Sequence, residues 1–176
     1  MSFVGVVSEE QASPSLQRHY EMLRQKFGFL PNYFQALGRR PELVEGHLAL
    51  TAALEQSPDV PPALKEKVGL VVSGINSSSY CIAIHMELLR GMGVERPLGR
   101  KLVTNYQSAP VEAKEMALFR FADKLTVRPA DVKQEDVDAL RAVGWSDDAI
   151  VEAVVAVSYY NFVNRVSMGL GVVAEL

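Results

Sequence analysis

Apolar residues recur along the chain at intervals of three and four, and no stretch alternates polar and apolar as a half-buried strand would. After Ser13-Pro14, the residues Leu16, Tyr20, Leu23 and Phe27 fall on one helical stripe that stops at Gly28. Pro31, Pro41, Pro61-Pro62 and Pro110 each stand where a helix could begin, because proline is tolerated in the first turn and not deeper. Gly91, Gly93 and Gly144 supply C-terminal stops, and Ser146-Asp147-Asp148 gives a cap and negative charge at the head of a long last helix. The pattern predicts about seven or eight helices, from segments near residues 14–27, 31–38, 41–56, 62–75, 78–91, 95–105, 111–126, 134–143 and 147–166. No low-complexity run or flexible linker separates two halves, so a single all-α domain over residues 1–176 is the simplest account.

Composition narrows the function classes. A chain of 176 residues is long enough to bury one core without disulfide or metal staples, and 48% apolar residues leaves some surplus for subunit contacts. The net charge is −3 with basic residues scattered, which argues against a nucleic-acid partner. No segment approaches the roughly 18 consecutive apolar residues of a membrane helix, and the first ten residues lack the basic start and apolar run of a secretory signal. One unpaired cysteine fits a reducing compartment, so a soluble cytoplasmic protein is expected. His19 and His47 have no ligand spacing to Asp, Glu or Cys, and no glycine-rich phosphate loop occurs, so neither metal nor cofactor is predicted.

The candidate chemistry lies in Ser78-Ser79-Tyr80-Cys81-Ile82-Ala83-Ile84-His85. In a helix, a spacing of four puts the thiol of Cys81 and the imidazole of His85 on neighbouring turns of one face. Glu66, twelve residues before Ser78, could orient the imidazole if the preceding helix folds back alongside. A helix starting at Ser77 or Ser78, after the turn signal Asn76, places Cys81 in the first turn, where free N–H groups and the macrodipole favour a thiolate by roughly 0.3–1 kcal/mol. Each residue has a plain structural reading beside this one. Cys81 is a small buried hydrophobe or a nucleophile; Ser78 is an N-cap or a donor to the thiolate; Glu66 is a solvated charge or the partner of His85; Tyr80 packs or lines a pocket. Arg165, one turn after Asn161 in an apolar segment, needs a partner if buried, and a structural or interface ion pair is preferred over a role in the site.

The segments Leu64-Lys65-Glu66-Lys67-Val68, Val71-Val72-Ser73-Gly74-Ile75-Asn76 and Tyr80-Cys81-Ile82-Ala83-Ile84-His85 resemble the core motif of the AhpD-like alkylhydroperoxidase and carboxymuconolactone decarboxylase superfamily, a glutamate followed by Cys-x-x-Cys-x-x-x-His. Gly28 to Phe34, Arg40 to Leu43, and Tyr160 to Arg165 followed by Gly169 to Val172 resemble its uncharacterised peroxidase-related subgroup. The resemblance implies an AhpD-like helical domain with Glu66, Cys81 and His85 as catalytic residues, assembled as a trimer or hexamer. It implies hydroperoxide reduction in which Glu66 polarises His85, His85 takes the proton of Cys81, and the thiolate becomes a sulfenic acid. Ser78 departs from the pattern, standing where the family has its first cysteine, so no intramolecular disulfide can form and turnover calls for an external thiol or a second subunit's cysteine. Two rivals remain: a carboxymuconolactone decarboxylase-like enzyme with histidine-centred acid/base chemistry, and a non-catalytic oligomeric member of the fold.

Overall fold

The computed structural model describes residues 2–175 and holds nine α-helices among them, with no strand. They are α1 (Pro14–Phe27), α2 (Asn32–Leu37), α3 (Pro41–Gln56), α4 (Pro62–Ile75), α5 (Ser79–Gly91), α6 (Arg96–Asn105), α7 (Ala113–Val127), α8 (Gln134–Ala142) and α9 (Asp147–Gly169). The count is slightly above the seven or eight expected, because both short segments, α2 and α8, are helical. The predicted caps act as expected at α1 and α9. Ser13 Oγ accepts from Leu16 N (3.3 Å), Ser146 Oγ accepts from Ala149 N (3.1 Å), and Gly28 closes α1 at φ +79°. Pro110 does not open α7; Glu112 is still extended and the helix begins at Ala113.

α4 is the centre of the bundle, packing on α5, α6, α7 and α9. Leu70, Val71 and Val72 are buried on it, facing Leu102 of α6, Leu118 and Phe119 of α7, and Ala156 and Val157 of α9 in one hydrophobic cluster. A second cluster joins Leu16, Tyr20 and Leu23 of α1, Tyr33 and Phe34 of α2 and Val44 of α3 to Tyr80 and Cys81 of α5. The helix pair α4–α5 therefore lies between the two apolar masses, with Cys81 facing the α1–α3 side.

The turn between α4 and α5 sets their antiparallel pairing. Asn76, expected to be the turn residue, is still right-handed; the left-handed residue is Ser77 at φ +56°. Ser77 N bonds Gly74 O (3.1 Å) and Ser78 N bonds Ser73 O (2.9 Å), so the chain reverses within two residues. Near the N-terminus, Phe3 N bonds Leu170 O (2.8 Å) and Val7 N bonds Gln35 O (3.0 Å), tying this segment to the end of α9 and to α2.

Candidate active site

The reversal at Ser77 brings Glu66 of α4 to His85 of α5: His85 Nδ1 lies 2.6 Å from Glu66 Oε2. A carboxylate can only accept, so Nδ1 carries a proton and donates it; in the neutral ring the lone pair then lies on Nε2. The ring is held on two further sides. Tyr160 meets it edge-on at 5.0 Å, and Gly69 lies so close that a Cβ there would be 2.4 Å from His85 Cε1. Glycine at 69 is therefore what lets the imidazole lie flush on α4.

Cys81 occupies the third position of α5 and is buried, 3% exposed. Its sulfur contacts Ser167 Oγ of α9 at 3.5 Å, and among the described residues no hydrogen bond joins it to His85. Ser78 sits at the N-cap position but its side chain caps nothing; its Oγ lies 3.3 Å from Ser167 Oγ instead. Neither expected role of Ser78 is therefore met directly. Ser167 stands between the two, and its own proton goes to Asn164 O (2.9 Å), so Ser167 accepts from both the Ser78 hydroxyl and the Cys81 thiol. Tyr80 combines its two readings: it stacks on Tyr33 (6.1 Å, 24°) and lines a cavity of about 340 Å³ with Ser78, Ser79 and Ser167. Another cavity, about 390 Å³ between α7 and α8, touches none of these residues.

Sequence reasoning missed the polar seam of α9. Asn164 and Ser167 are fully buried; Asn164 Nδ2 donates to Ser73 Oγ (3.1 Å), and Asn76 Nδ2 donates to both Asn164 Oδ1 (3.0 Å) and Asn161 Oδ1 (2.9 Å). Asn161, Asn164 and Ser167 recur every three residues among the apolar positions of α9, a pattern that could have been found. Arg165 requires correction. It is exposed and bonds Asn161 Oδ1 (2.6 Å) and Asn161 O (3.0 Å), with no carboxylate of the chain in range among the described residues. The buried ion pair of α9 is Glu152 with Lys65 at 2.7 Å. Burial alone would raise the Glu152 carboxyl, but the Lys65 ammonium and hydrogen bonds from Ser57 and Val60 N outweigh it and hold the group below the usual carboxylate range.

His47 was also set aside in the sequence, and it is buried among Tyr33, Phe34, Tyr159 and Phe162. Its Nε2 is 2.8 Å from Tyr159 Oη, which in turn meets Thr51 Oγ1 at 2.7 Å. Burial pushes its pKa down from 6.5 to about 4, so it is neutral at physiological pH. No group of three His, Cys, Asp or Glu side chains that could hold a metal occurs among the described residues.

No protein-family model matches the sequence, and a search of curated proteins finds no significant match. Solved structures are more informative. An uncharacterised peroxidase-related protein with an AhpD core, from Ralstonia eutropha JMP134, superposes with a TM-score of 0.93 at 22% identity, covering 99% of this chain and 92% of its own. Another peroxidase-related protein, from Silicibacter sp. TM1040, gives 0.88 at 26% identity over 96% and 90%. This chain has the AhpD-like all-α fold. The debrominase Bmp8, solved as a cysteine-to-alanine variant with 2,3,4-tribromopyrrole, shares the fold at TM-score 0.83 and 22% identity, over 99% and 94% of the two chains. Among the described residues, no helix of this chain is long and apolar enough to cross a membrane.

Proposed function

We propose that this AhpD-like protein is a single-domain, cytoplasmic, peroxidase-related oxidoreductase that reduces hydroperoxides through Cys81. The observation that carries the reading is the 2.6 Å contact between Glu66 Oε2 and His85 Nδ1, which leaves a basic Nε2 one helical turn beyond the thiol. With Glu66 holding Nδ1–H, His85 Nε2 takes the Cys81 proton directly or through one water once the sulfur turns from Ser167. The thiolate attacks one peroxide oxygen, the S–O bond forms as the O–O bond breaks, and His85 returns the proton to the departing alkoxide. The products are an alcohol and a sulfenic acid on Cys81. Ser78 cannot resolve it, so two equivalents of an external thiol complete the cycle.

Intact-mass measurement after a small excess of alkyl hydroperoxide, with dimedone present, tests this. A single dimedone adduct on Cys81, slowed about 100-fold or more in His85→Ala and less in Glu66→Gln, is the expected result. No adduct in the unsubstituted protein would remove the peroxidase reading. A second reading is favoured by the contact of the sulfur with Ser167 rather than His85: the Glu66–His85 pair is complete without the thiol and suits carboxymuconolactone decarboxylase-like acid/base chemistry. The fold neighbour solved as a debrominase points to a halogenated aromatic as another electrophile for the same thiol. We also propose a homo-oligomer, trimer or hexamer. Val151, Val155 and Phe162 of α9 and Leu43 and Leu50 of α3 stay exposed in the single chain, and Arg165 is exposed beside them. A monomer by light scattering at micromolar concentration would contradict it.

A further inference from the structure

Three groups follow one another along α5: Ser78 at its N-cap position, Cys81 in its first turn and His85 one turn further on. The Glu66–His85 pair therefore stands on the C-terminal side of the sulfur, and the Ser78–Ser167 hydroxyls on its N-terminal side. The 340 Å³ cavity opens on that second side. Ser167 is both part of its wall and in contact with the sulfur at 3.5 Å, so its side chain lies between the cavity and Cys81. Its remaining walls are Phe3, Ser79, Tyr80 and Met168 with the backbone around Gly171, and none of its lining side chains is charged.

Displacement at sulfur proceeds in line, with the incoming nucleophile opposite the leaving atom. In the proposed chemistry the sulfenic oxygen faces His85, which supplies the proton it needs to depart as water. The open approach is then from the Ser167 side. We propose that this cavity is the entry port of the reductant, a small monothiol that attacks Cys81 from the side opposite His85. The thiolate forms an S–S bond with Cys81, the S–O bond breaks, and the oxygen leaves as water with a proton from His85. A second thiolate attacks the outer sulfur, releasing the small disulfide and a Cys81 thiolate that takes a proton. The two monothiols are oxidised together by two electrons. The direction of attack rests on the peroxidase reading; the port serves any thiol–disulfide exchange at Cys81.

Ser79 gives the test. It is exposed on the rim at the first position of α5 and takes no part in the site's chemistry. Reduced protein, Ser79→Lys and Ser79→Glu are each reacted at low ionic strength with cystamine, a dication, and with bis(2-sulfoethyl) disulfide, a dianion, following the mixed disulfide on Cys81 by intact mass. The ratio of the two rates cancels any change in thiol reactivity common to both probes. Lysine should raise the anion-to-cation ratio, and glutamate lower it, by roughly threefold or more each, as expected for unit charges within a screening length. Ratios equal in all three proteins overturn the port. In a second arm, Cys81 preoxidised with hydroperoxide is reduced by cysteamine or mercaptoethanesulfonate, and the same opposite shifts are expected in the ratio of the two reduction rates. Failure to form a sulfenic acid, with the first arm shifted, defeats the peroxidase reading and keeps the port; sulfenic acid with neither ratio moved defeats the port alone.

Discussion

Replacing His47 by glutamine should flatten the acid limb of the protein's stability. The buried imidazole is neutral with a pKa near 4, whereas in the unfolded chain it titrates near 6.5. Between those values the unfolded state binds a proton that the folded state refuses, so stability rises with pH across the window and is lost as pH falls from about 6.5 toward 4. Above pH 6.5 the difference vanishes; at pH 4.5 it amounts to about 2.5 kcal/mol, from the two pKa values at 1.36 kcal/mol per unit. Burial is the cause, since His47 is 7% exposed and its ring neighbours are Tyr33, Phe34, Tyr159 and Phe162. Glutamine keeps an amide donor toward Tyr159 Oη and does not titrate. Urea unfolding of both proteins from pH 7.5 to 4.5 isolates the effect, because the carboxylates titrate alike in each. The gap between the two curves should shift by about 2.5 kcal/mol in favour of the variant at the acid end. Parallel curves, at equal urea slopes, would refute the assignment of a neutral buried His47.

Four other outcomes follow from the contacts. Lys65→Met should cost about 3–5 kcal/mol in urea unfolding by stranding the buried Glu152, and Lys65→Met with Glu152→Leu should recover most of it; equal losses in both would mean that the pair is not what matters. Ser77→Gly should stabilise by about 1 kcal/mol, because it removes a β-carbon from a left-handed residue, and an unchanged urea midpoint would count against it. Gly69→Ala should push the His85 ring off Glu66, so His85 NMR shifts and dimedone trapping of Cys81 change together while the helical circular dichroism stays; trapping at the normal rate would show that the pair is dispensable. Ser78→Cys should gain turnover with a dithiol reductant, read as peroxide consumption, and no gain would place the block elsewhere than at the missing second thiol.

The legible parts of this protein are those set by near neighbours in sequence. Helix bounds came within a few residues because stripes such as Leu16-Tyr20-Leu23, caps at Ser13 and Ser146, and stops at Gly28 and Gly144 act locally. The Glu66–His85 contact was also legible, since a turn too short to allow anything but antiparallel packing fixes which faces of α4 and α5 meet. What escaped depends on residues far apart in the chain. Ser167 lies 89 positions after Ser78, and only the closing of α9 over the α4–α5 turn makes it the partner of both Ser78 and Cys81. The setting of His47 is not legible from local spacing, because its partner Tyr159 is 112 residues on. The misjudged cation has the same origin. Arg165 and Glu152 share α9, but thirteen residues place them on different faces, and only the packing of α4 decides that the carboxylate is the buried one. An apolar helix with polar residues at regular intervals thus predicts a buried polar seam, and which of those residues touches the reactive sulfur is decided by tertiary packing alone.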